Sequence, residues 1–279
     1  MGSDLERLVE AAKEGDKKAL EELILKIQDK IYGLALRMLY NPSDAEDASQ
    51  EILLKIITHL GTFRGESAFT TWMYRVAVNH LLTLRKRRAE LEAVSFEEYE
   101  KSLELDSVVD WQESHSSALQ NIFVEEIRVS CLQGLLLCLD REHRLAFLLV
   151  DVFDVSSEQG AAILEITATA FRKRLSRARE RIQAFLMKNC ALANPDNPCT
   201  CERYLISQHY MERVDEKDLV FAKHSCRIKQ EGGVLNRIKE MDELTRIATL
   251  YKRYPDFQAP AVLIENIRGL LRSNKYELL

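Results

Sequence analysis

The sequence predicts an all-α protein. Two small helical domains, the second with a helix-turn-helix, are joined by an acidic linker and followed by a helical C-terminal extension. Three observations predict it. The 279 residues include only 10 glycines and 5 prolines, so few turns are signalled and long helices are favoured over a many-stranded sheet. Apolar residues recur at helical spacing through most of the chain. Charge is gathered in blocks that the net value of −5 hides. Arg172–Lys188 has seven Lys/Arg against Glu180, hence +6, and Glu90–Glu113 has nine acids against Lys101, hence −8. These readings divide the chain into 1–89, a linker at 90–116, 117–190 and an extension at 191–279.

A content of 46% hydrophobic and 30% charged residues places the chain among folded globular proteins. No apolar run reaches the ~18 residues of a membrane span. The start, MGSDLERLVEAAKEGD, has acids where an export signal has an apolar core, so a cytoplasmic location is expected. Six cysteines in a reducing compartment are free thiols or metal ligands before they are disulfides.

In chain order, Leu5, Leu8, Val9 and Ala12 mark a first helix, and Gly15-Asp16 breaks it and caps a second, running from Leu20 to Leu39. Asn41-Pro42-Ser43 stops that helix, and Ser43 or Asp44 is expected to cap the third. The third helix holds Asp44, Glu46, Asp47, Gln50 and Glu51 on one side and buries Ile52, Leu53, Ile56, Ile57 and Leu60. Its acids either complement the helix dipole or form a protein-binding face. A polar loop, Gly61–Thr71, carries Phe63, Arg64 and Phe69. A helix then begins near Trp72, with Met73, Ala77, Leu81 and Leu84 toward the core and Arg75, Asn79, Leu82 and Lys86 on another side. It ends in Arg85-Lys86-Arg87-Arg88. Aromatic, amide and arginine side chains interleaved in one loop-helix unit suit unpaired bases and phosphates.

Residues 117–153 continue the helical periodicity, with Cys131 and Cys138 inside apolar runs as inert thiols. Ser156 and Gln159 form a capping box for a short helix. A turn at Glu165-Ile166 follows, and Thr167 caps a helix whose Phe171, Leu175, Ala178, Ile182 and Phe185 make one buried stripe. Thr167, Thr169, Arg172, Lys173, Ser176 and Arg177 lie on the opposite, basic face. A short helix, a tight turn and a basic second helix describe a helix-turn-helix that reads a major groove, or else a plain amphipathic hairpin.

These two stretches together resemble the bacterial RNA polymerase sigma factors of the extracytoplasmic-function type. DAEDASQEILLKI, TFRGESAFTTWMYRVAVNHLL and RKRR are similar to the family's second conserved region. VSSEQGAAILEITATAFRKRLSRARERI is similar to its fourth, and the likeness spans residues 5–187. The resemblance implies a non-enzymatic subunit that directs transcription initiation. Asp47, Gln50 and Glu51 would contact core polymerase, whose β′ clamp helices and β flap are the implied partners. Phe63, Arg64, Phe69, Trp72, Arg75, Asn79, Arg85 and Lys86 would hold the −10 element of promoter DNA as single strands. Thr167, Thr169, Arg172, Lys173, Ser176 and Arg177 would read the −35 duplex. An anti-sigma factor or other regulator is expected. Thr70, Thr83 and Glu165 depart from the family pattern, which often has a basic residue, Asp and Gly there. The rival reading is a self-standing helix-turn-helix regulator that never meets polymerase.

The extension holds a Cys-x-Cys, and Cys199, Cys201, His224 and Cys226 are candidate ligands of a tetrahedral zinc. Unliganded thiols and a redox pair are the alternatives. Helices are expected over Asn236–Tyr254 and Ala261–Arg272, as a hairpin packing on the DNA-binding domains or receiving a regulator.

Overall fold

The computed structural model describes residues 4–85, 88–103, 117–205, 219–221, 226–227, 247, 249–251 and 256–272. Contacts divide the chain into two compact units of discontinuous stretches. One comprises Met1–Arg87, Leu148–Lys173 and Phe257–Leu279, the other Arg88–Phe147 and Arg174–Asp256.

The first unit begins with α1 (Asp4–Lys13), which buries Leu8, Val9 and Ala12. Gly15 takes φ +93°, a backbone setting cheap only for glycine. Asp16 caps α2 (Lys17–Leu39), accepting the N–H groups of Lys18 at 2.8 Å and Ala19 at 3.2 Å. From Ile31 to Leu39 every residue of α2 is buried, so its second half is the axis of the unit. α3 (Pro42–His59) is capped by Asn41, which accepts from Asp44 N at 3.1 Å, instead of by Ser43 or Asp44. Pro42 explains the shift, because a proline in the first turn lacks only an N–H that has no helical partner there.

A 3-10 turn, Leu60–Thr62, leads to α4 (Phe69–Thr83). This helix starts three residues before Trp72, because Phe69 is wholly buried and belongs to the same packed face. Met73, Ala77 and Leu81 are buried as the spacing requires, and Leu84 is half-buried.

The first unit also takes in a π-helical turn (Leu148–Val152), α9 (Ser157–Ile163) and the start of α10 (Ala168–Asn189). The Phe153 ring lies 5.6 Å from that of Tyr74, and α9 packs on α4. A further helix, α12 (Ala261–Arg272), packs on α2 and α3 with Leu263 and Ile267 buried. Asp29 accepts Ala259 N at 2.9 Å, and Arg268 Nε meets Glu21 at 2.6 Å. The Arg37 guanidinium lies over Phe257 at 4.6 Å and over Phe153 at 5.7 Å, so one cation ties three distant stretches.

The second unit starts in the segment expected to be a tether. There α5 (Arg88–Leu91) and α6 (Phe96–Lys101) form, the latter with a Ser95–Glu98 capping box. Residues 104–116 lie outside the described set. Glu90 is why the segment docks. Its buried carboxylate pairs with Arg141 at 2.6 and 2.9 Å and lies 3.5 Å from Arg144. Arg144 also donates to the carbonyls of Leu136 and Leu139 at 2.9 Å each, closing the end of α7 (Ser117–Leu137) ahead of α8 (Arg141–Phe147). Burial outweighs Glu90 and brings the Arg144 pKa down to about 10. The Phe96 and Tyr99 rings face Phe185 of α10, and the Tyr99 hydroxyl donates to the Cys131 carbonyl at 3.0 Å. α11 (Cys201–Leu205) packs on α7.

Among the described residues the only strands are the two-residue segments Cys226–Arg227 and Asp256–Phe257, which pair in one short ladder, and the other elements are helical as expected. No described helix is long and apolar enough to cross a membrane. Most of the helix expected over Asn236–Tyr254 lies outside the described residues.

Candidate nucleic-acid interface

On α3 the apolar stripe of Ile52, Leu53, Ile56 and Ile57 is buried, which turns the acids outward. Asp47 and Glu51 are exposed and Gln50 is half-buried. The three residues expected to contact a protein partner therefore lie one helical turn apart on an accessible face.

The loop into α4 is held by its own rings. Phe63 and Phe69 are 5.7 Å apart, and each is within 6 Å of Trp72, at 5.7 and 5.8 Å. Phe63 is 4% exposed and Phe69 0%, so neither presents a face to a base. This corrects their expected role. They are the large apolar groups that fasten a polar loop to α4, and Trp72 stands on them. Arg64 and Asn79 are exposed, as is Arg85 beyond the helix end. Arg75 is half-buried, with its Nε lacking a hydrogen-bond partner. Lys86 lies outside the described residues.

Between α3 and α4 an open cleft of about 360 Å3 is bounded on one side by Lys55, His59 and Thr62, and on the other by Trp72, Val76, Asn79, His80 and Thr83. An indole and an amide thus share a cavity with three basic side chains. The Thr83 hydroxyl donates to the carbonyls of Asn79 at 2.8 Å and His80 at 3.0 Å, so it serves the helix end. The sequence reading missed Lys55, His59 and His80. One signal was available: His80 is the polar residue next to Leu81 on a face otherwise filled by Met73, Ala77 and Leu81.

His80 is 5% exposed, and its Nδ1 lies 2.8 Å from Lys55 Nζ. An ammonium only donates, so Nδ1 is the acceptor and the proton sits on Nε2. Nε2 is 3.7 Å from Glu51 and has no hydrogen-bond partner. Burial, then Lys55, lowers the His80 pKa from its ordinary 6.5, and Glu51 opposes them.

The second basic surface is on α10. Phe171, Leu175, Ala178, Ile182 and Phe185 are all buried. Thr167, Thr169, Arg172, Lys173, Ser176 and Arg177 are exposed on the other side. Thr167 caps the helix, its hydroxyl accepting Ala170 N at 3.2 Å. Ser156 and Gln159 make the expected capping box for α9. Glu165 holds φ +54° in the turn where the family pattern has Gly. Gly160 lets the two helices close, since a Cβ there would meet the Phe171 ring at 2.3 Å.

Of the candidate zinc ligands, only the Cys199 and Cys201 side chains are among the described residues. His224 and the Cys226 side chain lie outside the described residues. Among those described, no three His, Cys, Asp or Glu side chains stand where they could hold a metal ion. Cys199 keeps different company: its backbone bridges to Cys190. Burial pushes the thiols up, Cys199 to about 11 and Cys201 to about 12, so both are protonated near neutral pH.

A family model described as sigma-70 region 2 matches residues 23–90, and one described as sigma-70 region 4 matches residues 130–182. The RNA polymerase sigma-H factor of Pseudomonas aeruginosa is 35% identical over 184 residues, 65% of this chain and 93% of that protein. The ECF RNA polymerase sigma-E factor of Escherichia coli K12 is 33% identical over 182 residues, 63% of this chain and 90% of that one. Among solved structures, CnrH in complex with the cytosolic domain of CnrY aligns with a TM-score of 0.44 at 20% identity, covering 64% of this chain and 94% of that one. The sigma factor RpoE with the anti-sigma factor NepR from Bartonella quintana aligns at 0.42 and 23%, covering 61% and 97%. Carrying both conserved regions in order, and spanning nearly the whole length of its curated relatives, the chain belongs to the sigma-70 family of RNA polymerase sigma factors, in its extracytoplasmic-function branch.

Proposed function

We propose that this sigma factor binds core RNA polymerase through Asp47, Gln50 and Glu51, reads −35 duplex DNA with the exposed face of α10, and captures the −10 element as single strands at the α3–α4 cleft. The observation that carries the reading is the cleft, in which Trp72 and Asn79 share a cavity with cationic and imidazole side chains. An indole face stacks on any unpaired base, and an amide adds hydrogen bonds to a base edge. Exposed Arg64 and Arg85 suit phosphate contacts, and half-buried Arg75 shares α4 with Trp72 and Asn79. Phe63 and Phe69 act by holding Trp72. On α10, Arg172 and Lys173 near the helix start suit guanine edges, while Arg177 suits a phosphate. Such a protein acts in the cytoplasm, changes no covalent bond itself, and is a natural target for an anti-sigma factor.

Run-off transcription with core polymerase on a promoter library tests the whole reading, and a chain that directs no initiation anywhere refutes it. Charge reversal at Asp47 and Glu51 should remove the chain from co-purified polymerase. Unchanged co-purification would favour the self-standing regulator.

A further inference from the structure

We infer that Lys55 is a phosphate-binding residue of the single-strand cleft and that His80 is the residue that positions it. The inference deepens the cleft reading given above and rests on it. Lys55 is exposed at the cleft, and among the described residues no carboxylate pairs with its ammonium. Glu51 is four residues away on the same helix, a spacing at which Glu and Lys commonly pair. Here the two do not meet. The His80 imidazole takes the Lys55 ammonium on Nδ1 at 2.8 Å, while its Nε2 faces Glu51 at 3.7 Å.

One ammonium hydrogen is therefore committed to the imidazole and two remain for a ligand. A strongly hydrated point charge with two spare donors, beside an indole, suits the phosphate of a nucleotide whose base stacks on that indole. Neutral His80 is required, since a protonated ring has no acceptor for Lys55. The charged groups on the ring are Lys55 and Glu51, both from α3, and burial together with Lys55 favours the neutral form. His59 borders the same cleft, but its Nδ1 is engaged by the Lys55 carbonyl at 2.9 Å.

The test uses the full chain and a fluorescent random-sequence single-stranded DNA of about 12 nucleotides, within the site sizes of single-strand binders. Binding is read by anisotropy across a salt series. Lys55→Met should weaken binding and reduce the slope of log K against log salt by about 0.7, the value of one single-strand phosphate contact. His80→Leu should reproduce that loss. His80→Asn should restore it, because the Asn Oδ1 stands near the place of Nδ1 and does not titrate. As pH falls from 6.5 through the depressed value of His80, the wild type should lose part of its slope while His80→Asn holds it. The pH arm also decides the positioning role if His80→Leu does not fold. An unchanged slope in Lys55→Met, with binding lost in Trp72→Ala, overturns the Lys55 assignment alone. Binding unaffected in Trp72→Ala overturns the cleft reading itself, and this inference with it.

Discussion

Replacing Gly160 by Ala should loosen the helix-turn-helix, against the usual preference of helices for alanine. A Cβ at Gly160 would lie 2.3, 2.6 and 2.9 Å from three ring carbons of Phe171. Carbon atoms rest at about 3.5–4.0 Å, so the ring must retreat by more than ~1 Å. Phe171 is 0% exposed and has no open side to retreat to. Overpacking of this kind costs about 1–3 kcal/mol. Alanine's better helix propensity returns at most ~1 kcal/mol. The expected net loss is about 1–2 kcal/mol, a fall of roughly 2–8 °C in unfolding midpoint. Circular dichroism melts of the wild type, Gly160→Ala, Phe171→Leu and the double variant measure it. With the smaller Leu at 171 the Gly160→Ala step should become neutral or stabilising, because the coupling is the clash itself. Binding to −35 duplex DNA should fall alongside stability, since Phe171 anchors the start of α10, next to Arg172 and Lys173. A Gly160→Ala chain that melts at or above the wild type, with Phe171 present, refutes the packing argument.

Three further outcomes are expected. Glu165→Gly should stabilise the fold by about 1 kcal/mol, measured by urea unfolding, because Glu165 occupies a left-handed setting at φ +54°. Glu90→Leu should destabilise by about 3–5 kcal/mol, leaving buried Arg144 and partly buried Arg141 without their carboxylate. A melt within error of the wild type would remove Glu90 from the account of why this acidic segment docks. For His80, the folded state disfavours the proton and the unfolded chain binds it first. Its contribution is intact above pH ~6.5 and is lost as pH falls through the depressed folded value. The urea midpoint of the wild type should therefore drop relative to His80→Asn on acidification, and parallel curves would contradict the buried neutral ring.

Much of this architecture was legible before any coordinates. The α10 stripe from Phe171 to Phe185, the Ser156–Gln159 box and the Asp16 cap follow from local rules, and local rules suffice where a helix needs one partner face. The turn at Glu165 was legible locally, but its strain was legible only through the resemblance, whose family has Gly there. What escaped was set by non-local packing. Phe63 and Phe69 read as base platforms because composition marks aromatics without saying which ones must seal a loop. Lys55 and His80 were silent because their significance is a 2.8 Å meeting across two helices. Glu90 read as one acid among nine in a tether, and only the arrival of Arg141 and Arg144, over fifty residues later in the chain, makes it a core residue.

The bond from Ala259 to Asp29 spans 230 residues. During synthesis the ribosome releases α2 long before the stretch that shields it, so the wall formed by Phe257, Leu263 and Ile267 arrives last. Such a closure is slow for a helical protein, whose speed ordinarily comes from contacts near in sequence. In that interval the flank of α2 and α3 awaiting α12 is the apolar surface a chaperone would find open.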